Sequence, residues 1–566
     1  MLKTVPLHAI LFGVLPVFCA YSSLVSYLLP EELVIPLAVC LALASIVLVF
    51  SYACLHDWRR AGLVTSVLML MNFSFDAMAA PSNRLLNSLG LPQDDRFYLL
   101  PFTLLICFVV YILLKAKSDY KLATSSLNMI SALLVVSNVG YIAYHEYKVG
   151  AILGGIFQND DKELAAIHLK ENKSLEDSPD IYYFILDAFG RSDTLKEVYD
   201  FDNSSFIDGL KQRGFVVPSG SRSNYQMTCL SLPSSLNMQY LDHLEKILGS
   251  DYHDSSVLYR ILQRNKVSSL LKSVGYRYVN VRSGWSPTDY MPGADENVGF
   301  SFGNGFHLAL LRSTLIGPLQ RDFDFLGWAA RRVRLYGLQN IGTISAQPQF
   351  LSQPKFVFVH VVVPHPPFLF KEDGDTEILN VISLSDKFEK EKYVAQVKFL
   401  QRQVLAMLDE LDKNPRKKVV IIQGDHGPAL QTGSDGNPSP AFLRERMRIL
   451  NAYRLPAANP ELTNAETTNA GTTSSGATYP ATTYATTISA DSIYDGITPV
   501  NSFRVVLNRY FDAKLPLLPD KCIYSPNPLP MQFVDVTKEV TAGVTANLPT
   551  ATLPRTATSK VTTATH

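Results

Sequence analysis

The chain has 566 residues, with 51 acidic and 51 basic side chains and therefore no formal net charge. This length is too great for one compact core. The charge balance argues against the large basic surface that nucleic-acid binding requires. Six cysteines, four of them in apolar stretches, exclude a disulfide scaffold.

The first 150 residues are dominated by apolar side chains. A helix needs roughly 20 apolar residues to cross a bilayer, and five stretches approach that length: 5–30, 32–55, 61–80, 97–116 and 122–145. Buried helices of a soluble protein would not supply so many uninterrupted apolar runs. We therefore predict a transmembrane domain of five helices over residues 1–149.

Charges in the loops predict the orientation of these helices. Loops 56–60 (HDWRR) and 115–121 (KAKSDYK) are basic, whereas loop 30–33 (PEEL) is acidic. Basic loops stay in the cytoplasm, so the N-terminus is predicted to be cytoplasmic and the chain after Tyr147 periplasmic or extracellular. The protein is thus expected in a cell inner or plasma membrane. Asp76, late in the third stretch, has either a functional or an interfacial role.

The pattern changes after a predicted connector at 150–178. From residue 179, apolar runs of strand length alternate with helical patterns such as KYVAQVKFLQRQVLAMLDELDKN. Continuous apolar strands that alternate with helices predict an α/β fold with a mostly parallel sheet flanked by helices. We assign this extracytoplasmic domain to residues 179–536.

Two segments rich in Thr and Ala interrupt or follow this domain. One is an insertion at about 459–490, and the other is the tail at 537–566. Both have few large apolar side chains to offset the entropy of ordering, so we predict that they are disordered. The first is an insertion because ITPVNSFRVVLNRYFDAKLPLLPD, which follows it, again has a folded pattern.

Three predicted strands end in side chains that bind metals. The run IYYFIL ends at Asp187, VVIIQG ends at Asp425 and His426, and FVFVHVVV is followed by PHPPF with His365. Ligands of open α/β sheets gather beyond the carboxyl ends of the strands, so these side chains are expected to converge. Two carboxylates and an imidazole suit a divalent metal. His360 lies inside its strand, which favours a buried structural role.

A nucleophile is expected in the segment SRSNYQMTCLSLPSSLNMQYL, residues 221–241. Small hydroxyl residues there precede a helix-like stretch, and a helix N-terminus favours a bound anion. Thr228, Ser231, Ser234 and Ser235 are all candidates. The alternative is a Ser-rich helix cap without any chemistry.

Together these motifs resemble the sulfatase-like branch of the alkaline phosphatase superfamily. The order of that family is an apolar strand ending in an acid, a Thr/Ser segment, a strand ending in PHPPF, and then GDHG. Five spans followed by an external domain are similar to lipoteichoic acid synthases and lipid A phosphoethanolamine transferases. The resemblance implies an alkaline-phosphatase-like catalytic domain.

The resemblance also implies roles for individual residues. Asp187 takes the place of the first acidic metal ligand, where the transferases usually have Glu, and Asp425 and His426 match the metal-binding pair. The glycines around this pair are expected to let the backbone turn tightly. Thr228, in T-x-x-S-x-P, matches a nucleophilic Thr that is also a metal ligand, and His365 matches a His near the substrate phosphate. The implied cofactor is one divalent ion, zinc or manganese, with magnesium as a further option.

The stretch SLPSS departs from the sulfatase pattern C/S-x-P-S-R, because Ser231 occupies the nucleophile position and Ser235 replaces the arginine. The predicted function is a membrane-bound transferase. It would move a phosphoethanolamine or phosphoglycerol headgroup from a phospholipid to a glycan or lipid acceptor of the cell envelope, through a phosphothreonine intermediate. The alternatives are a sulfate or phosphate ester hydrolase and a non-catalytic membrane protein.

Overall fold

A computed structural model describes residues 5–89, 94–116, 118–170, 178–300, 304–319, 325–347, 353–375, 390–429, 438–456, 492–527 and 529–542. The predicted insertion at 459–490 lies outside the described residues. The predicted tail is described only as far as residue 542, and a short helix at Thr537–Thr541 occupies its start.

The N-terminal part of the chain is helical. It contains α1 (His8–Ser23), α2 (Val34–Leu55), α3 (Trp58–Phe73), α4 (Phe75–Ser88), α5 (Leu99–Lys115) and α6 (Lys121–Ala166), with 3-10 turns at Pro30–Leu33 and Asp95–Tyr98. Within the described residues, four stretches are long and apolar enough to cross a membrane: Pro30–Leu55, Trp58–Ser88, Asp95–Lys115 and Lys121–Ala166.

The predicted number of five spans is not confirmed, because α1 is shorter than expected. It is apolar but has 16 residues, which gives a length of about 24 Å. The hydrocarbon core of a bilayer is roughly 30 Å thick. The helix ends at Ser23, whereas the predicted span continued to residue 30.

Helix α6 continues past the predicted membrane boundary and through the first part of the predicted connector, as far as Ala166. The helix has 46 residues and is about 69 Å long, more than twice the thickness of the hydrocarbon core. Beyond the predicted span it carries an apolar stripe of Val149, Leu153 and Ile156, which packs on the following domain. The spacing of this stripe fits one helical face, so the last span continues directly into a stalk.

The second part of the chain has the predicted α/β fold. A six-stranded sheet has the order β3-β2-β4-β1-β5-β6, and only the β5–β6 pairing is antiparallel. The strands are β1 (Asp180–Leu186), β2 (Arg277–Val281), β3 (Glu296–Val298), β4 (Lys355–Val361), β5 (Lys418–Gln423) and β6 (Asn451–Arg454). A separate two-stranded ribbon contains β7 (Ile523–Tyr524) and β8 (Val534–Asp535).

Helices cover both faces of the sheet. Alternate side chains of β1 enter two different cores, with Tyr182 and Phe184 on one side and Ile181 and Tyr183 on the other. This explains the continuous apolar strand sequences. The helices described in this second part of the chain, on the sheet and elsewhere, are α7 (Ser192–Tyr199), α8 (Ser204–Gln212), α9 (Thr228–Asn237), α10 (Asp242–Leu248), α11 (Ser256–Gln263), α12 (Lys266–Ser273), α13 (Ser286–Asp289), α14 (Gly305–Arg312), α15 (Phe325–Ser345), α16 (Lys390–Leu411), α17 (Pro440–Met447), α18 (Pro499–Phe511) and α19 (Thr537–Thr541), with a 3-10 turn at Gly317–Leu319.

The α/β domain and the basic loops lie at opposite ends of the N-terminal helices. At one end, Arg59 donates to the carbonyl oxygen of Asp119 over 3.2 Å and so joins the two basic loops. At the other end, the acidic turn contacts the α/β domain, where Glu31 lies 3.4 Å from Arg260. Helix α2 connects these two ends.

Candidate metal centre

The carboxyl ends of β1, β4 and β5 meet at one edge of the sheet, because the three strands are parallel neighbours. Asp187 directly follows β1, and Asp425 and His426 follow β5 after one glycine. A Cβ atom on Gly424 would lie 2.6 Å from a backbone oxygen, and one on Gly427 would lie 2.0 Å from another. Neither glycine has a positive φ, so close backbone approach, rather than the expected tight turn, requires them.

Four predicted ligand side chains converge at this edge. The Nε2 atom of His426 lies 3.2 Å from Thr228 Oγ1, 3.5 Å from Asp425 Oδ2 and 3.6 Å from Asp187 Oδ1. Four donors arranged tetrahedrally around an ion at about 2.1 Å would be separated by about 3.4 Å. These separations therefore match the edges of a tetrahedral coordination shell.

The His426 imidazole is held in the form that binds a metal. Its Nδ1 atom lies 2.9 Å from the carbonyl oxygen of Gly427, so Nδ1 carries the proton. The Nε2 atom then has a free lone pair on the side of the other candidate ligands. Burial, together with the positive charge of Arg446, lowers the pKa of His426 well below its usual value. A neutral imidazole whose outer N–H is bound to a carbonyl oxygen is an oriented metal ligand.

The two carboxylates lack the partners that buried acids require. Asp187 Oδ1 and Asp425 Oδ2 are buried without a hydrogen-bond partner among the described residues. Burial opposes ionisation of Asp187, but His365 and His360 outweigh it and lower the pKa of that carboxyl. Burial and the charge of Asp187 raise the pKa of Asp425 to about 6. Since unpaired buried charges are costly, the donor set fits a divalent cation.

The structure separates Thr228 from the competing serines. Thr228 is the first residue of α9 and directs its hydroxyl towards His426. The hydroxyls of Ser231, Ser234 and Ser235 each donate to a backbone carbonyl oxygen at 2.7 Å. Ser234 and Ser235 bond within their own segment and Ser231 bonds to the backbone of Asp425, so Thr228 alone of the four directs its hydroxyl to the candidate ligand side chains.

His365 lies at the rim of the same centre. The centroids of the His365 and His426 rings are 6.2 Å apart, and His365 faces a cavity that Asp187 and Thr228 also line. Its Nδ1 atom is 2.7 Å from the carbonyl oxygen of Pro366, which fixes the ring and leaves Nε2 for other partners. The position is close to the ligand set without belonging to it.

His360 is buried, as expected, but a purely structural interpretation is incomplete. Its Nε2 atom lies 3.4 Å from Asp187 Oδ2, and its Nδ1 atom lies 2.8 Å from the hydroxyl of Thr288. A facing carboxylate favours the tautomer with the proton on Nε2, and Nδ1 then accepts from Thr288. The Trp285 ring packs edge-on against this imidazole. His360 therefore lies against Asp187 and can orient it, although its Nε2 atom has no hydrogen-bond partner among the described residues.

Two arginines complete the centre, and sequence analysis missed both. Arg446 of α17 places one guanidinium nitrogen 3.2 Å from His426 Nε2 and another 2.8 Å from the carbonyl oxygen of Gly427. Arg334 of α15 donates to the carbonyl oxygens of His365 and Pro367 and lines the cavity. No motif marks either residue in the sequence, because only the packing of α15 and α17 brings them to the sheet edge.

A cavity of about 660 Å³ joins this centre to the N-terminal helices. Asp187, Thr228, His365 and Arg334 line one part of it. The N-terminal helical domain contributes another part of the lining: Leu24, Tyr27, Leu28, Glu32 and Asp76. A molecule bound at the candidate metal centre can therefore also contact the apolar helices.

The comparisons with known proteins agree with this description. Residues 179–458 match the family model named Sulfatase. This match confirms the resemblance to the sulfatase-like branch for this part of the chain, which is joined here to an apolar helical domain. No curated protein matches the chain.

Several solved structures share part of this shape. They include the C-terminal periplasmic domain of EptC from Escherichia coli in complex with zinc, with 12% identity, a TM-score of 0.33, and coverage of 51% of this chain and 76% of that chain. The integral membrane protein lipooligosaccharide phosphoethanolamine transferase A from Neisseria meningitidis has 14% identity, a TM-score of 0.31, and coverage of 78% of this chain and 88% of that chain. The match to the family model covers residues 179–458 and describes the α/β part of the chain.

Proposed function

We propose that the protein is a membrane-bound, metal-dependent transferase that moves a phospho-headgroup from a phospholipid to a hydroxyl of an envelope glycan or lipid. One observation carries this proposal. The cavity that Asp187, Thr228 and His365 line is also lined by the apolar helical domain, so a lipid held by those helices can present its phosphate to Thr228.

The chain's own residues would hold the metal. Asp187, Thr228, Asp425 and His426 supply two carboxylates, a hydroxyl and a neutral imidazole. A divalent ion bound there lowers the pKa of a hydroxyl and stabilises negative charge on phosphoryl oxygens. Carboxylate and imidazole donors suit zinc and manganese, and they accommodate magnesium.

Thr228 acts as the nucleophile in this proposal. Its oxygen, already deprotonated to solvent, attacks the phosphorus of the donor, a Thr–O–P bond forms, and the bond from phosphorus to the diacylglycerol oxygen breaks; the second step releases the same oxygen in its deprotonated form. The acceptor hydroxyl then attacks the phosphothreonine and releases the Thr228 oxygen. Because Thr228 begins α9, the free backbone N–H groups and the dipole of that helix favour a phosphate at this position.

His365 acts as the general acid and then as the general base. In its protonated form it gives a proton to the departing diacylglycerol oxygen, and it later takes one from the acceptor hydroxyl. The bond from Nδ1 to the Pro366 carbonyl leaves Nε2 for this exchange. Arg334 and Arg446 place positive charge beside the transferring group, where it stabilises the phosphoryl oxygens.

A hydrolase of sulfate or phosphate esters is the second candidate, and the match to the Sulfatase family model favours it. In that reaction water replaces the acceptor hydroxyl in the second step. The helical lining of the cavity favours the transferase, because a soluble ester needs no membrane surface beside the nucleophile.

Product analysis separates the two candidates. The full chain is reconstituted in vesicles of phospholipids with isotopically labelled headgroups, and dodecyl maltoside is supplied as a glycan-bearing acceptor. We expect diacylglycerol release with the label on the maltoside, and loss of both products in Thr228→Ala. Ser234→Ala is the matched control and should retain activity. Release of free phosphate ester alone supports the hydrolase, and full activity of Thr228→Ala overturns the nucleophile assignment.

A further inference from the structure

Residues 305–319 leave the α/β domain between β3 and β4 and pack on the N-terminal helices. In α14, Phe306 and Leu310 are buried in one cluster with Val17 and Tyr21 of α1. The rings of Tyr21 and Phe306 meet edge-on with centroids 6.0 Å apart. We call residues 305–319 the wedge.

The rest of the wedge continues along the helical domain. Leu315 packs against a cluster that contains Phe75 of α4 and Phe102 of α5. The 3-10 turn Gly317–Leu319 contacts the 3-10 turn Asp95–Tyr98, where the candidate span Asp95–Lys115 begins. The wedge therefore lies at the depth at which that span starts.

Apolar side chains of the wedge point away from the protein at this depth. Ile316 is 60% exposed and Leu319 is 38% exposed. Next to them in the fold, Phe97 is 72% exposed and Leu100 is 69% exposed at the start of the span. Contiguous exposed apolar side chains that continue the surface of a span face lipid rather than water.

We infer that the wedge is inserted into the half of the bilayer nearer to the α/β domain, with Ile316 and Leu319 against the acyl chains. Its polar side chain Arg312 turns inward, lines the cavity and attracts Asp76 of α4. This arrangement places apolar groups on the lipid and charged groups on the interior, as a membrane-embedded element requires.

The wedge forms part of the wall of the cavity. Leu24 and Leu28 line the cavity from the chain that follows α1. Phe306, Leu308 and Ala309 line it from the wedge. The inserted wedge therefore places part of the cavity wall at the bilayer. The insertion itself depends only on the helical domain lying in a membrane, and not on the proposed reaction.

Photo-labelling of the wild-type chain tests the insertion without a variant. The full protein is reconstituted in vesicles that contain a phosphatidylcholine with a diazirine on one acyl chain, irradiated and digested with trypsin. The peptide STLIGPLQR, residues 313–321, contains both outward side chains. The peptide GFVVPSGSR, residues 214–222, is the control, because Val216 is exposed but pairs with β6 of the sheet.

We expect lipid adducts on the 313–321 peptide at least about tenfold above those on the 214–222 peptide. Thr228→Ala should be labelled to the same extent, so failure of the proposed reaction and failure of the insertion give different results. Absence of adducts on 313–321, in a sample whose spans are labelled, would overturn the inference. Equal labelling of the two peptides would overturn it as well.

Discussion

Strand β1 has a buried aspartate at each end, and the two are satisfied in different ways. Asp180, its first residue, lies 2.6 Å from Lys355 and 3.2 Å from Arg416. Asp187, just beyond its last residue, has no Lys or Arg within ion-pair distance in the described part of the chain. Its nearest titratable partners are His360 at 3.4 Å and His426 at 3.6 Å.

The difference shows which end of the sheet is built for a ligand. A buried charge needs an opposite charge, and the chain supplies one for Asp180 from its own lysine and arginine. At the other end it places two carboxylates together and leaves an oxygen of each unpaired. Arg334 and Arg446 lie nearby, but neither forms an ion pair with these carboxylates within the described residues, so we assign the direct counter-charge to a divalent cation.

Substitution of Asp187, at the end of β1 where the chain supplies no ion-paired lysine or arginine within the described residues, should have the largest effect on turnover. Asp187→Asn keeps the shape but removes a charged ligand, and a metal supplies several kcal/mol of transition-state stabilisation. We expect turnover to fall by about 10³-fold or more, together with loss of bound metal. Steady-state rates and elemental analysis of the purified full chain measure both quantities. Unchanged metal content would remove Asp187 from the ligand set.

The matching substitution of Asp180, at the end of β1 where Lys355 and Arg416 pair with the acid, should affect stability and not metal binding. Asp180→Asn removes the carboxylate charge beside the buried ammonium group of Lys355, which lowers the free energy of unfolding by about 3–5 kcal/mol. Thermal unfolding of the full chain in detergent detects the loss, and the metal content per folded chain should stay at the wild-type value. A variant of unchanged stability would show that the two ends do not differ as described.

A smaller effect on metal affinity is expected from substitution of His360, which lies against Asp187. His360→Ala removes the group that orients Asp187, so metal affinity should weaken by about 10–100-fold. His360→Gln should recover much of the affinity, because its amide N–H can donate to the same carboxylate. Competition titration with a chelating dye measures the dissociation constants. Equal affinities in all three proteins would reduce His360 to a packing role.

The sequence predicted the sheet and its binding edge, because continuous apolar runs define buried parallel strands and ligands gather where those strands end. It also selected Asp187, Asp425, His426 and His365, which the structure brings close together. Composition and spacing left Thr228 and the three serines open, and only the family resemblance selected Thr228, since the direction of each hydroxyl depends on the rotation of α9 against the sheet.

The sequence did not predict other features of the structure, because they depend on packing between distant segments. Arg334 and Arg446 carry no motif, and their helices approach the edge only in the folded chain. Helix α6 was divided at the predicted membrane boundary, although Val149 and Leu153 continue one apolar face. The length of α1 depended on where its helix ends, which hydrophobicity alone does not specify.

Mass spectrometry of the full chain, quenched during turnover in phospholipid vesicles, tests the central claim most directly. We predict the mass of one phospho-headgroup on Thr228, lost in Thr228→Ala and after removal of divalent metal with a chelator. A headgroup adduct on Ser231, or turnover that persists after metal removal, would contradict a metal-held threonine at the edge of this sheet.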